Sequence, residues 1–263
     1  MKKKKWVALG ASFLLLFLTG ICYKFNFLYV RQGIQELKSS ETFLSYVLNA
    51  RPRVPVLMYH SVNENPVGIA QLSVKTQDFE NQIKYIAQHG YTPLTFDQLK
   101  NAESYKKPIM ITFDDGYQDN YTKAYPILKK YRCRATIFIV AKYINAPGYL
   151  SEHEMRQMSD WVSFQSHTVS HHPLIEFGAK DLKRECFAPK EAISKITKKP
   201  VTAISYPNGA YNKLVLKVAP QYYRYGVTTK YGYYYPTKGS MNYQIKRIAI
   251  SRNTPLSQFI RII

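Results

Sequence analysis

The sequence is short of cysteine, of acidic residues and of repeated segments, and each shortage argues against a class of protein. Three cysteines among 263 residues cannot form the disulfide framework typical of small secreted domains. Cys22 lies in the most apolar stretch of the chain, and we expect Cys133 and Cys186 to be free thiols. The lack of an internal repeat excludes a solenoid, and a hydrophobic content of 46% excludes a disordered chain.

The shortage of acidic residues makes the chain strongly basic. Seventeen aspartates and glutamates face 37 lysines and arginines, which gives a net charge of +20. Such a charge suits an anionic partner, such as nucleic acid, a membrane surface or an anionic polymer. We expect no nucleic-acid partner, because the sequence has no zinc-finger spacing, no aromatic RNA-binding pattern and no compact basic helix. The basic residues are scattered, so they fit either a solvated surface or contact with anionic cell-wall polymers.

One long apolar run is present, in the N-terminal segment of residues 1–30. Four lysines precede 18 uncharged residues, Trp6 to Tyr23, and about 20 residues cross a bilayer as a helix. Because lysines stay on the cytoplasmic side, we predict a single-pass cell-membrane anchor with an extracellular domain. A cleaved signal peptide followed by secretion, or lipidation at Cys22, is the alternative. Residues 31–53 are predicted to be a stem between membrane and domain.

From Val54 onward, strand patterns alternate with helical patterns. The helical segments are residues 76–90, 121–131 and 180–199, the last being one helix or a broken pair. The strand-like segments are residues 54–60, 108–113, 135–140, 162–167, 201–207, 223–229 and 244–250. This alternation predicts an α/β fold with a parallel sheet or barrel. Active sites of such folds lie at the carboxyl ends of the strands, where polar groups from several strands converge.

Two motifs at predicted strand ends carry metal-binding side chains. Asp114 and Asp115 directly follow the apolar segment 109–113, and His167 and His171 follow the segment 162–167. The spacing of the histidines is that of metal-binding HxxxH helices, in which both imidazoles share one face. Two histidines, one carboxylate and an open position for water describe a catalytic zinc site, in which a second carboxylate can accept a proton. Taken singly, the motifs also fit a turn and a polar surface, but their joint occurrence favours the metal site.

These motifs resemble those of the polysaccharide deacetylases of carbohydrate esterase family 4, the NodB-homology domain. The resemblance rests on TFDDG at residues 112–116 and SHTVSHHPL at residues 166–174. The segments VPVLMYHSV and TQDFENQIKYIAQHGYTPLT are similar to the poly-N-acetylglucosamine deacetylase-like subgroup. The resemblance covers residues 54–263, with the NodB-homology core at about 107–263. It implies a distorted (β/α) barrel, which in this chain follows the predicted transmembrane helix.

The resemblance also implies roles for individual residues. Asp114 would be the general base, and Asp115, His167 and His171 would bind a divalent metal, zinc or alternatively cobalt or nickel. The N–H of Tyr206, in the third-motif segment SYPNG, would stabilise the oxyanion, and Pro207 and Gly209 would shape that loop.

The sequence departs from the family pattern at two places. Ser205 and Tyr206 stand where the third motif usually carries an arginine that orients the base, and Arg247 is the candidate replacement from another strand. The late LxH motif is missing, since no histidine follows His172. His60, at a strand end, is therefore the candidate general acid, although it fits a core histidine equally well. His172 is an alternative metal ligand.

The function implied is metal-dependent N-deacetylation of an N-acetylglucosamine-containing cell-wall or extracellular polysaccharide, with release of acetate. The enzyme would be a hydrolase of carbon–nitrogen bonds in linear amides. The alternative is a catalytically impaired, glycan-binding surface protein that retains the fold. A two-carboxylate glycosidase fits poorly, because neighbouring carboxylates cannot flank a sugar linkage. Peptidoglycan, poly-N-acetylglucosamine and chitin oligomers all remain open as substrates.

Overall fold

The computed structural model of the protein describes residues 53–65, 69–236 and 240–263. The predicted anchor and all but the last residue of the predicted stem lie outside these ranges. Within them, no helix has both the length and the apolar character needed to cross a bilayer. The membrane anchor therefore stays a prediction.

Seven parallel strands close into a barrel, one of the two arrangements that the alternating pattern allowed and the one that the family resemblance implies. In order around the barrel they are β1, β10, β9, β8, β7, β6 and β5, and β1 closes the ring by pairing with both β10 and β5. A short strand, β4, extends the sheet beside β5, and β2 and β3 form a separate parallel pair. The strands are β1 Val56–Tyr59, β2 Ser61–Val62, β3 Ser73–Val74, β4 Thr92–Pro93, β5 Pro108–Phe113, β6 Ala135–Ile139, β7 Val162–Ser166, β8 Ala203–Ser205, β9 Tyr225–Tyr231 and β10 Ile245–Ala249.

The described residues contain seven α-helices, of which the first six lie between strands and the last follows β10. They are α1 Thr76–Gln88, α2 Phe96–Leu99, α3 Tyr125–Lys130, α4 Glu152–Met158, α5 Ala179–Thr197, α6 Lys213–Val218 and α7 Leu256–Ile262. A π-helical turn, Asn120–Ala124, leads into α3. The short 3-10 helices are Ala70–Leu72, Ala102–Ser104, Ala141–Tyr143, Leu174–Glu176, Pro207–Gly209, Ala219–Gln221 and Ser240–Tyr243.

The helices follow the sequence pattern closely. Helix α1 buries Phe79, Ile83 and Ile86 on one face, and Gly90 just beyond it adopts a left-handed φ of +74° that favours glycine. Pro126 lies in the first turn of α3, where its missing N–H costs nothing. Helix α5 is one helix rather than a broken pair, and it continues through Pro189.

Two apolar clusters lie on opposite sides of the barrel wall. The larger joins outward-facing strand residues to α1, α3, α4 and α5, and it contains the predicted free thiols Cys133 and Cys186, both buried and unpaired. The smaller contains inward-facing residues from the first halves of several strands, such as Val56, Met110 and Ala203, together with α2. The inner cluster therefore fills the lower part of the barrel, and the carboxyl ends of the strands are left for polar side chains.

Candidate active site

Strand alternation places polar side chains of several strands at one mouth of the barrel. Side chains of a strand point alternately to its two faces, so a residue two positions after an inward-facing one also points inward. Three residues of the inner cluster, Met110 on β5, Ala203 on β8 and Ile245 on β10, face inward. Asp114, Ser205 and Arg247 follow them by four, two and two residues, so these side chains point inward as well. Closure of the barrel then brings these distant positions together.

Asp114 and Arg247 form a fully buried ion pair at this mouth. Arg247 Nη1 lies 2.8 Å from Asp114 Oδ1 and Nη2 lies 2.6 Å from Oδ2, and the two residues are 0% and 3% exposed. Such a bidentate pair fixes both the position and the orientation of the carboxylate. Burial alone would raise the pKa of Asp114, but the charges of Arg247 and His167 outweigh it and hold the pKa below its usual value. The structure thus places Arg247 against Asp114, as expected for the candidate orienter.

Further hydrogen bonds hold both members of the pair. Ser205 Oγ donates to Asp114 Oδ2 at 3.2 Å and accepts from Arg247 Nη2 at 3.0 Å. Arg247 Nε donates to the carbonyl of Thr228 at 2.9 Å, and Nη1 also approaches Thr112 Oγ1 at 3.3 Å. Buried charges are tolerated when they are paired and hydrogen-bonded in this way.

Asp115 points to the other side of the mouth, towards His167 and His171. Its own φ of +72° and that of Gly116, +77°, turn the chain sharply after β5. Asp115 Oδ1 lies 3.4 Å from His167 Nε2 and 3.2 Å from His171 Nε2. The three side chains each offer one ligand atom, and these atoms lie within 4.8 Å of one another.

A loop, and not a helix, brings the two histidines together, so the helical interpretation of the HxxxH spacing was wrong. Residues 167–171 follow β7 without helical structure, with left-handed φ values of +69° at Thr168 and +64° at His171. Glu185 of α5, which is 2% exposed, accepts the N–H groups of Val169 and Ser170 on one oxygen, Oε2, at 3.0 Å each. The buried carboxylate holds the loop in this unusual conformation.

The three side chains fit a divalent cation. His167 Nδ1 lies 2.8 Å from the carbonyl of Ser205, which can only accept, so Nδ1 carries a proton and Nε2 is the nitrogen that faces the cluster. Asp115 Oδ1 is buried and accepts a hydrogen bond of good geometry from no described residue. Burial opposes ionisation of Asp115, but the two imidazoles outweigh it and hold its pKa far below the usual range. Two imidazole nitrogens and one ionised carboxylate are the donor set of catalytic zinc sites.

His60 faces the same mouth, whereas His172 does not take part. The His60 carbonyl accepts from Asn120 Nδ2 at 2.8 Å, and its half-buried imidazole makes no hydrogen bond to another described residue. Burial lowers the pKa of His60, and the charges of Asp114 and Asp115 counteract that shift only in part. His172 is exposed and lies outside the group of ligand atoms.

The third-motif segment is built differently from what the sequence led us to expect. The N–H of Tyr206 donates to the Val227 carbonyl at 3.1 Å in the pairing of β8 with β9. That N–H is already used, so the expectation that it stabilises an oxyanion is contradicted by this arrangement. Pro207 and Gly209, expected to shape this loop, are the first and last residues of a 3-10 helix, and a Cβ on Gly209 would approach Thr229 Oγ1 to 2.1 Å.

Sequence reasoning missed three residues that hold this site. Ser205 had a usable signal, because it lies two residues after an inward-facing position of β8. Thr112 had the same signal on β5. Glu185 had none, because it belongs to a helix 16 residues beyond the loop that it holds.

Comparisons with known proteins agree with the family resemblance noted in the sequence. The sequence pattern of the family described as "Polysaccharide deacetylase" matches residues 101–227. YxkH of Bacillus subtilis (strain 168), whose name refers to the same family, is 32% identical over an alignment of 237 residues that covers 87% of this chain and 83% of YxkH. The poly-beta-1,6-N-acetyl-D-glucosamine N-deacetylase of Staphylococcus aureus (strain MRSA252) is 31% identical over 206 residues, covering 70% of this chain and 69% of that protein.

Solved structures show the same fold. A polysaccharide deacetylase from Bacillus cereus superposes with a TM-score of 0.77 at 33% identity, covering 81% of this chain and 69% of that one. The Streptococcus pyogenes deacetylase PplD, solved in complex with acetate, has a TM-score of 0.75 at 28% identity and covers 81% of this chain and 98% of that one.

Proposed function

We propose that this chain, which belongs to the polysaccharide deacetylase family, hydrolyses the acetamide group of N-acetylglucosamine residues in a glycan and needs a divalent metal to do so. The observation that carries the proposal is the pairing of two unlike carboxylates at one barrel mouth. Asp114 is held by Arg247, and Asp115 shares a three-residue donor set with a buried oxygen that lacks a hydrogen bond.

Asp115, His167 and His171 would hold the cation, with zinc as the first candidate and cobalt or nickel as alternatives. When bound, it would polarise the acetamide carbonyl and lower the pKa of water from about 15.7 towards neutrality. The ligand atoms of these residues need little rearrangement, because His167 is already fixed in the required tautomer by the Ser205 carbonyl.

Asp114 would accept the proton of the attacking water. Its Oδ2 already accepts from Arg247 and Ser205, whereas Oδ1 accepts from Arg247 and keeps a second lone pair. We therefore place the transferred proton on Oδ1. Arg247 keeps the carboxylate ionised and oriented, and a positioned base of this kind contributes about 10²- to 10⁴-fold to the rate.

The departing amine needs a proton when the carbon–nitrogen bond breaks. Asp114 carries one after the first step, so transfer from Oδ1 to the nitrogen balances the reaction and yields acetate and a free amine. His60 is the second candidate donor, because its imidazole faces the same mouth and lies within the influence of both aspartates.

The substrate class is proposed from the relatives. The Staphylococcus aureus relative is named for poly-β-1,6-N-acetylglucosamine, and the Streptococcus pyogenes deacetylase binds acetate, the expected product. An N-acetylglucosamine polymer outside the cell would also fit the predicted anchor, whose membrane attachment stays a prediction.

Acetate release tests the proposal. The purified full-length chain, loaded with one equivalent of zinc, cobalt or nickel, should release acetate from poly-β-1,6-N-acetylglucosamine, peptidoglycan or chitin oligomers. Asp114→Asn is the matched inactive control. The proposal is wrong if none of the three metals supports release from any of these glycans.

A glycan-binding protein without turnover is the second candidate, because no histidine follows His172 to serve as the family's late acid. The ordered ion pair and donor set argue against it, since buried charged groups are costly to keep without a use. Glycan binding that is unaffected by Asp114→Asn, with no acetate released, would favour this candidate.

A further inference from the structure

Three tyrosines form an aromatic surface directly beside the candidate metal ligands. We call Tyr117, Tyr143 and Tyr149 the tyrosine wall. The ring of Tyr149 stacks on Tyr117, with centroids 5.3 Å apart at an interplanar angle of 20°, and lies 4.6 Å from Tyr143 at 31°. All three side chains are half-buried, so parts of the wall face solvent.

The wall is fixed rigidly to the turn that carries Asp115. An antiparallel bridge joins Tyr117 to Tyr149. On either side of it, Gln118 N donates to the Gly148 carbonyl and Leu150 N donates to the Gly116 carbonyl, both at 2.9 Å. Tyr117 is two residues from Asp115, so a molecule resting on the wall would be held at a fixed distance from the proposed metal ligand.

The shape of this region favours a ligand that lies across the surface. The shallow hollow lined by Asp115, Gly116, Tyr143 and Tyr149 among others has no enclosed room for even a water molecule, so a sugar ring does not fit inside it. A polymer bound here would instead place one ring against the aromatic faces and extend over the mouth.

We propose that the tyrosine wall is a saccharide-binding subsite that takes the sugar ring next to the residue being deacetylated. The electron-rich face of an aromatic ring attracts the weakly positive C–H face of a pyranose, and tyrosine hydroxyls at the rim can hydrogen-bond to sugar hydroxyls. This inference rests on the proposed function, since it names a further subsite for the same glycan. It also accounts for the use of tyrosine, with an apolar body and a polar tip, at all three positions.

The test compares oligosaccharide binding by tyrosine variants of the full-length protein. We expect Tyr149→Ala to weaken the binding of an N-acetylglucosamine pentasaccharide about 3- to 10-fold and to raise its KM by a similar factor, with kcat little changed. Tyr149→Phe keeps the stacked ring and loses only the hydroxyl, so it should weaken binding less than Tyr149→Ala does. Deacetylation of the monosaccharide, which has no neighbouring ring, should respond much less.

Two controls separate this test from folding and from the proposed function. Tyr85→Ala removes a tyrosine that stacks on His89 near the end of α1, away from the mouth, and should bind the pentasaccharide like wild type. Zinc stoichiometry reports whether Tyr149→Ala leaves the proposed metal ligands in place. If zinc is lost, Tyr143→Ala, at the edge of the wall, is tested instead. Wild-type pentasaccharide affinity in both alanine variants would overturn the subsite, even if acetate is released. Loss of pentasaccharide binding in these variants, together with no acetate release by the metal-loaded wild-type protein, would keep the subsite and refute deacetylation.

Discussion

Asp114 and Asp115 are adjacent in sequence, yet their side chains have different partners. Asp114 is paired with Arg247, hydrogen-bonded by Ser205 and closed off from solvent. Asp115 faces two imidazoles, its Oδ1 accepts no hydrogen bond from the described residues, and the side chain of its neighbour His171 is 31% exposed. The charge of Asp114 is balanced within the chain by Arg247, whereas Asp115 and the two histidines present ligand atoms for a cation that the chain does not supply.

The difference shows how one strand end can serve two tasks. A guanidinium neutralises Asp114, so this carboxylate can stay ionised in a buried place. Asp115 has no guanidinium partner of this kind, and a divalent cation held with the two histidines would balance its charge. The account therefore predicts that variants of the Asp114 half change stability or turnover, whereas variants of the Asp115 half change metal affinity.

Removal of Arg247 should have the largest effect on the Asp114 half. Arg247→Met leaves Asp114 buried without its partner, which costs about 3–5 kcal/mol in the free energy of unfolding. Chemical denaturation in the presence of EDTA would measure this cost apart from any metal. The double variant Arg247→Met with Asp114→Asn should recover part of the loss, because the unpaired charge is gone. If Arg247→Met alone were as stable as wild type, Arg247 would not be the group that stabilises the buried charge of Asp114.

Loss of Glu185 should act on the Asp115 half. Glu185→Leu removes the acceptor for two N–H groups of the loop 167–171. Partners that orient metal ligands contribute about 10- to 100-fold to metal affinity. Titration with zinc would measure the change. Glu185→Gln should retain most of the affinity, because both N–H groups go to one oxygen that an amide also offers. Equal affinity in the leucine variant and wild type would contradict this role.

Ser205→Ala should have a smaller effect, confined to the Asp114 half. It removes the hydrogen bond to Asp114 Oδ2 and the acceptor of Arg247 Nη2, but leaves the Ser205 carbonyl that fixes His167. A buried hydrogen bond of this kind is worth about 1 kcal/mol, so we expect kcat/KM to fall several-fold with zinc affinity unchanged. A fall in zinc affinity instead would mean that the Ser205 side chain on β8 supports the metal ligands as well as Asp114.

The smallest effect should come from His172, the ligand alternative that the sequence left open. His172 is exposed and outside the donor group, so His172→Ala should bind zinc like wild type. His171→Ala is the matched comparison and should lose affinity strongly. If the two variants lost affinity equally, the donor set would need to be redrawn.

The barrel and its mouth could be predicted because they depend on local pattern. Buried runs such as residues 108–113 mark strands, their alternation with helices implies parallel pairing, and two-residue periodicity carries Asp114 and Arg247 to the same face. Local pattern also placed His60 at a strand end beside the site.

The parts that could not be predicted depend on partners far away in sequence. The conformation of residues 167–171 is set by Glu185 and by left-handed residues, so the HxxxH spacing alone suggested the wrong local structure. The N–H of Tyr206 was expected to be free, but the pairing of β8 with β9 extends to it. Sequence periodicity locates strand ends poorly, so it did not show how far this pairing extends.

The most direct test of the division between the two aspartates is a paired measurement of zinc stoichiometry and acetate release in Asp114→Asn and Asp115→Ala. The account predicts that Asp114→Asn retains one zinc and loses turnover by about 10²- to 10⁴-fold, whereas Asp115→Ala loses the zinc and, with it, the activity. Zinc lost from Asp114→Asn, or retained at full affinity by Asp115→Ala, would contradict it.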